Sequence, residues 1–404
     1  MTGETGMMEK INVGIVGAGF AADFHVEAFR EVRGVEVEVV AVTSKTRGSR
    51  TEFAEKHDIP RVYSDLSAML SDEQNLDVVD LCVPTYVHAE GIVQAAQAGK
   101  HVIVEKPLTG YCGEVGQDDD ELIGDTVPKA RMMEWVLNQC EYIGMELEHS
   151  GITLMYAENW VYAPTVQKAR RLIEGGSGPV MRMVAEESHS GSHASYAKYW
   201  SRAGGGSLLR TGSHPVGGVL YLKQAEGIAR EGSPIRPKSV VAEVGRLMKM
   251  DAYNRSESAL TGNLADCEDW GSILITFEDG SVAEVSSSDV VLGGIYNYVK
   301  VFCSRGRIEC NLNPNDQVMV YGPDEEAFGD EYIAEKLSTR AGWNFASPDE
   351  HWASGYPQEI QDFAECVAYD REPLSGWMLA RDVVAVIYAA YVSAEEGRRV
   401  EVPL

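Results

Sequence analysis

From Ile11 to about Gly110, short β-branched runs alternate with segments of helical periodicity. The runs Ile11–Val16, Val37–Val42, Val78–Val83 and His101–Val104 read as buried strands, and Glu52–His57 and Gly91–Ala98 as parts of helices. Strand and helix in alternation predict a parallel sheet of Rossmann type. Residues 111–128 interrupt the pattern with the acidic, glycine-bearing stretch from Cys112 to Glu121. This is an insertion expected to be a solvated loop, with an oligomer contact or pocket lid as the other readings. Helical periodicity returns over Ala130–Ile143, and Ile152–Ala157 reads as a strand.

The second half differs. After a helix over Ala163–Glu174 come strand-like runs at Val180–Glu186, Ser239–Val244, Ser272–Glu278, Val282–Ser287, Tyr296–Cys303 and Gly306–Leu312. Consecutive strands with turns such as Glu278-Asp-Gly280 predict an open, mainly antiparallel sheet, closed by a helix over Leu379–Glu396. The expected fold class is α/β. A Rossmann-type domain is expected over residues 1–150, and an α+β domain over 151–404.

Charge and cysteine content narrow the partners. The 35 Lys and Arg face 62 Asp and Glu, a net charge of −27 that repels nucleic acid and anionic membranes. Seven scattered cysteines form no CxxC pair or metal-ligand spacing, so reduced thiols in a cytoplasmic protein are expected, and no metal. The apolar run after the polar N-terminus is short and reads as a strand rather than a signal peptide. No stretch reads as the roughly 20 apolar residues of a membrane span.

The first candidate chemistry is Val13-Gly-Ile-Val-Gly17-Ala18-Gly19-Phe20-Ala21-Ala22, a strand turning into a helix. Gly17 and Gly19 let backbone amides approach a pyrophosphate at the helix N-terminus, beside Phe20 and Ala21. The second strand ends in Thr43-Ser44-Lys45-Thr46-Arg47, without the acid that would hold an NAD ribose. Ser44 and Lys45 there lean the cofactor, NAD or NADP, towards NADP.

With these, Asp77-Val-Val-Asp-Leu-Cys-Val-Pro84-Thr85-Tyr-Val-His88 and Gly99-Lys-His-Val-Ile-Val-Glu105-Lys106-Pro107 resemble the Gfo/Idh/MocA oxidoreductases. The similarity continues through Asn159-Trp-Val-Tyr162-Ala-Pro164, Gly204-Gly-Gly-Ser-Leu-Leu-Arg210-Thr-Gly-Ser-His214, Asp269–Gly280 and Ala389–Ser393. It implies that Lys106 sits beside the nicotinamide and the reacting carbinol, with Glu105 holding it and Pro107 stiffening the turn. His214 would be the acid/base for the substrate hydroxyl. Pro84, Thr85 and His88 would lie by the cofactor, although His88 could equally cap a helix. Many relatives carry Asp four residues before the histidine, where this chain has Arg210. A guanidinium fixed there would keep the imidazole neutral, clamp the substrate, or turn away into a structural ion pair.

Asn159, Tyr162, His189, His193 and Tyr199 are candidate substrate contacts. Glu186-Glu187-Ser-His189-Ser-Gly-Ser-His193 carries ligand-type residues, but its Ser/Gly content predicts a substrate-contacting loop rather than a metal site. Tyr196, Tyr199 and Trp200 would suit stacking on a sugar ring. The reading is an NAD(P)-dependent dehydrogenase acting on a secondary alcohol of a sugar, glycoside or cyclitol, as a homodimer or homotetramer. Alternatives are an enzyme with tightly bound NAD(H) using transient oxidation for net glycoside cleavage, elimination or epimerisation, and a non-catalytic ligand sensor.

Overall fold

A computed structural model describes residues 10–114, 121–192, 194–254, 256–262, 264–313 and 317–404. The first half builds a six-stranded sheet from β1 (Lys10–Val16), β2 (Glu36–Thr43), β3 (Arg61–Tyr63), β4 (Val78–Leu81), β5 (His101–Glu105) and β6 (Leu154–Ala157). Its order is β3-β2-β1-β4-β5-β6, and every pair is parallel. The order reverses between β1 and β4, which opens a crevice at their C-terminal ends. There Gly17 has φ +123°, and a Cβ on it would collide with the Cys82 carbonyl, so only glycine fits. β6 pairs with β5 from Val102↔Leu154 to Glu105↔Ala157, so the first domain runs past residue 150 to at least Ala157. The pattern identifies that strand but not the sheet it joins.

The second sheet contains β7 (Val180–Ser188), β8 (Pro237–Gly245), β9 (Trp270–Phe277), β10 (Val282–Ser288), β11 (Tyr296–Cys303) and β12 (Gly306–Asn313). Two short strands, β13 (Met319–Gly322) and β14 (Gly342–Phe345), form a separate ribbon, and β15 (Val400–Glu401) edges β8. The order is β12-β11-β7-β10-β9-β8-β15, antiparallel except for the parallel β7/β10 pair. Alternation sorts the two faces. Ile273, Val285, Ala185, Val299 and Cys310 lie side by side and are buried. One residue along, Val241, Leu274, Glu284, Val184, Lys300 and Glu309 form the outer row. Two residues along the inner face, Glu187 of β7 pairs with Ser287 and Asn297 at the end of the sheet nearest the crevice.

The C-terminal helix Trp377–Glu396 packs against both the helix Lys129–Ser150 and β8, locking the two sheets together. Tyr388 on it donates to the Gly204 carbonyl and accepts from the Tyr111 amide, each at 2.6 Å. Against expectation, this helix is long and apolar enough to cross a membrane by length and composition, but its apolar window is 78% buried inside the protein. The insertion is also less solvated than its composition predicts. Tyr111 and Ile123 are buried, and the Gly124 amide donates to Asp266 Oδ2 at 2.9 Å. Residues 115–120 of it lie outside the described residues. All seven cysteines are free thiols, and all but Cys112 are buried.

Candidate active site

The crevice opens into a cavity of about 1660 Å³ running between the two sheets. One end is lined by Ser44, Lys45, Ser49 and Asp65, the middle by Gly17–Ala21 and Cys82–Pro84, and the far end by Lys106, Glu187, His189 and His214. Its size exceeds the roughly 300–1,000 Å³ of an ordinary small-molecule pocket, consistent with two ligands end to end. The helix Phe20–Glu31 begins at Gly19 with no side-chain cap, and a Cβ on Gly19 would meet nothing within 4 Å. Uncapped amides at a helix N-terminus facing open space fit a pyrophosphate. The expected residues Gly17, Gly19, Phe20, Ala21, Ser44, Lys45, Pro84, Glu105 and Lys106 all line the cavity.

Lys106 follows β5, and its peptide bond to Pro107 is cis. Its amide donates to Glu105 Oε2 at 3.0 Å, and its Nζ donates to the main-chain carbonyl of Arg210 at 3.1 Å. Glu105 is backed by a charge chain that the spacing of residues does not reveal. His25 Nδ1 lies 2.9 Å from Asp80, and its Nε2 lies 3.3 Å from Glu105 Oε1. Burial works against a charge on His25, but Asp80 and the neighbouring Cys82 outweigh it and hold the imidazole well above its ordinary range. Burial likewise pushes Glu105 upward, yet its bond to His25, with Lys106 and His214 nearby, brings its carboxyl below the usual range. His25, Asp80 and Cys82 bring ligand-type atoms within 4.8 Å of one another, but this imidazole is already committed to two carboxylates.

His214 stands at the start of the helix Ser213–Glu231, with its side chain only 8% exposed. Its Nδ1 is 2.7 Å from Glu158 Oε1, and its ring stacks on Trp160 at 6.1 Å with a 12° tilt. A carboxylate at Nδ1 fixes the proton there and leaves Nε2 as the acceptor. Glu158, fully buried just after β6, escapes a motif search because only the β5/β6 pairing brings it beside the lysine strand.

Several expected contacts serve the fold instead. Arg210 does not line the cavity; its Nη2 donates to the fully buried Asp289. Burial disfavours its charge, but Asp289 more than restores it and raises the guanidinium above its ordinary range. Of the three readings for Arg210 the structure shows the ion pair, and the helix Ser207–Arg210 ends before the helix that carries His214 begins. The His88 ring sits between the carbonyls of Pro107 at 2.8 Å and Val83 at 2.7 Å and braces the lysine turn without lining the cavity. Thr85 is buried in the first turn of the helix Thr85–Gln97 and also stands off the cavity. Tyr162 donates to Asp362 at 2.8 Å and accepts from the Ser375 amide at 3.0 Å, within the core. Tyr199 lies off the wall with Arg202 over its ring, and Trp200 is core; Tyr196 is the aromatic of that trio that lines the cavity.

Asn159 lines the cavity, tied through Nδ2 to the Ser354 carbonyl at 2.8 Å. His189 lines it too, accepting the Gly191 amide at Nδ1 at 3.0 Å. Burial pushes the His189 imidazole down to about 4, so it is neutral at pH 7 and presents Nε2–H. The expected loop begins later than predicted, since β7 continues through Ser188 and makes Glu187 a strand residue. His193 lies outside the described residues.

Fold and site together define a two-domain dinucleotide-binding protein whose cofactor groove ends at Lys106 and His214. Residues 11–117 match the family described as "Oxidoreductase family, NAD-binding Rossmann fold", and residues 166–309 match "GFO/IDH/MocA C-terminal domain". The chain belongs to the Gfo/Idh/MocA oxidoreductase family and carries its NAD-binding domain. D-apiose dehydrogenase of Paraburkholderia graminis is 26% identical over 98% of this chain and 91% of that protein. D-xylose 1-dehydrogenase (NADP(+)) 2 of Haloferax volcanii is 25% identical over 92% of this chain and 94% of that protein. The crystal structure of GenD2 from gentamicin A biosynthesis, in complex with NAD, superposes with a TM-score of 0.77 at 24% identity, covering 100% of this chain and 99% of that one.

Proposed function

We propose that the protein oxidises a secondary alcohol of a sugar, glycoside or cyclitol, with Lys106 and His214 handling the proton. The observation that carries this reading is the convergence of these two side chains at the far end of the groove, with Glu158 holding His214 Nδ1 at 2.7 Å. Bound nicotinamide would supply a hydride acceptor. His214 Nε2 takes the hydroxyl proton as the carbinol C–H leaves as hydride, and Glu158 stabilises the imidazolium that forms. The Lys106 ammonium donates to the substrate oxygen, which gains charge as the proton leaves. Tyr196 and Trp160 supply apolar surface to a ring, and Asn159 and Asn297 amide groups. The names of the D-apiose and D-xylose relatives support a carbohydrate substrate.

We infer a preference for NADP from the adenosine end, where Ser44 and Lys45 line the cavity and β2 ends without a carboxylate. Lys45→Ala should then raise the KM for NADP about tenfold, about 1.4 kcal/mol, and leave that for NAD unchanged. We infer also that a second copy covers the outer face of the second sheet, where Val241 and Leu274 stand side by side, 38% and 37% exposed. Leu274→Glu should shift the mass measured by light scattering towards the monomer.

A panel of pentoses, glycosides and cyclitols with each cofactor, followed by nicotinamide absorbance and product mass, tests the main reading. Reduced cofactor appearing with ketone or lactone supports it. Products without an absorbance change would support the redox-neutral alternative instead, and binding without turnover would support a sensor.

A further inference from the structure

Among the described residues, one buried carboxylate of the cavity wall has no partner. Glu187 is 7% exposed, lines the cavity, makes no hydrogen bond, and has its Oε2 wholly shielded from solvent. It stands on the inner face of the second sheet, opposite Asn297 on β11, within electrostatic reach of both Lys106 and His214. Burial drives its carboxyl above the ordinary range; Lys106 and His214 pull it back only in part, while Glu158 and Glu335 push it further up.

The wall facing the same space is acidic. Glu331, Glu335, Asp349 and Glu350 line it, and Lys336 stands among them with its Nζ 3.7 Å from Glu335. Glu350 is itself raised, first by burial and also by Glu335, despite the bonds it accepts from Tyr332 and the Glu335 amide. A buried carboxylate left unpaired is costly, and a charged donor offsets that cost better than a neutral one. A sugar hydroxyl would satisfy one lone pair of Glu187 but would not relieve the mutual repulsion of the wall. A sugar phosphate or sugar acid would add to it.

We propose that Glu187, with the acidic wall of Glu331, Glu335 and Glu350, forms a subsite for a protonated amine, so that the substrate is an amino-bearing sugar or cyclitol. The amine docks on Glu187 while a neighbouring hydroxyl reaches Lys106 and His214. The assignment rests on the dehydrogenase reading above and names its substrate class.

The test compares methyl glucosides with their 2-, 3- and 6-amino-deoxy analogues and the N-acetylated forms of these, using the cofactor-loaded wild type and Glu187→Gln. An amino-deoxy glucoside should exceed its neutral parent in kcat/KM by about 10- to 100-fold, the scale of a charge-assisted hydrogen bond. N-acetylation should abolish the gain. Glu187→Gln should bring the ratio of kcat/KM for the amino-deoxy glucoside to that for its neutral parent down to about one, whatever the change in the neutral parent itself. Equal turnover of amino and neutral sugars would overturn the amine subsite and leave the dehydrogenase reading standing. An equal fall in kcat for both substrate types in Glu187→Gln would overturn it in favour of a proton-handling carboxylate. If no sugar is oxidised, the dehydrogenase reading fails. Calorimetric titration of the same amines into the NADH-loaded protein then decides the subsite: absent binding, or binding unchanged in Glu187→Gln, overturns it.

Discussion

The imidazole of His25 lies between Asp80 and Glu105, and it gives the Lys106 turn a charged foundation. Because its proton is bound more tightly in the folded protein than in the unfolded chain, it adds stability that is full below the ordinary histidine value of about 6.5. That contribution fades as the pH climbs through the raised folded value. Glu105 acts in the other direction, adding stability above the ordinary carboxylate value of about 4.3 that is lost as the pH falls through its lowered one. His25→Gln should therefore destabilise the protein more at about pH 6 than at about pH 9, by 1 kcal/mol or more, in urea unfolding at the two values. Arg210 calls for a different measurement. Arg210→Ala leaves the Asp289 carboxylate buried without its partner, and should cost about 3 kcal/mol in unfolding free energy. The carbonyl that meets Lys106 survives the change, so kcat should fall far less than in Lys106→Ala. Glu158→Gln should lower kcat by about 10²-fold or more with little change in KM, since it disturbs the tautomer of His214 and not the binding walls.

At the scale of elements, the turn that presents the Arg210 carbonyl is held from beneath by Glu268. This carboxylate accepts the amides of Gly206 and Leu208, each at 3.0 Å, and the hydroxyl of Tyr391 at 2.8 Å. Tyr391 and Tyr388 both come from the C-terminal helix. Tyr388→Phe leaves the Tyr111 amide and Gly204 carbonyl unpaired in the core, so it should cost about 2 kcal/mol, read as a lower denaturation midpoint at unchanged slope. Gly17 and Gly19 were legible in the sequence because backbone shape constrains them, and Lys106 and His214 were singled out by the motifs that resemble the family's. Glu158 was not legible, because strand pairing brings it to the site from a distant part of the chain; Glu187 fell within a stretch read as a substrate-contacting loop, and only the extent of β7 makes it a strand residue on the cavity wall. For Arg210 the sequence left three readings open, because the buried Asp289 that decides for the ion pair follows a strand far along the chain. Tyr162 and Tyr199 were misplaced because an aromatic near a pocket motif looks the same whether it lines the wall or packs behind it.

For the whole molecule, the alternation of strands and helices made both sheets legible, including the mainly antiparallel character of the second. The boundary was harder, since Leu154–Ala157 reads as a strand with no mark of which sheet takes it, and the C-terminal helix serves both halves. Charge was legible only as a total. The net −27 repels polyanionic partners, but its concentration at Glu187, Glu331, Glu335 and Glu350 emerges only when the cavity is assembled. One contact across the two halves reaches further. Lys106 is gripped from its own half by Glu105 and from the other by a main-chain oxygen, not by a side chain. What the second half must offer the lysine is a place in space rather than a residue type. Chimeras that graft a foreign second half onto this cofactor half should stay active when that carbonyl keeps its position, whatever amino acid carries it.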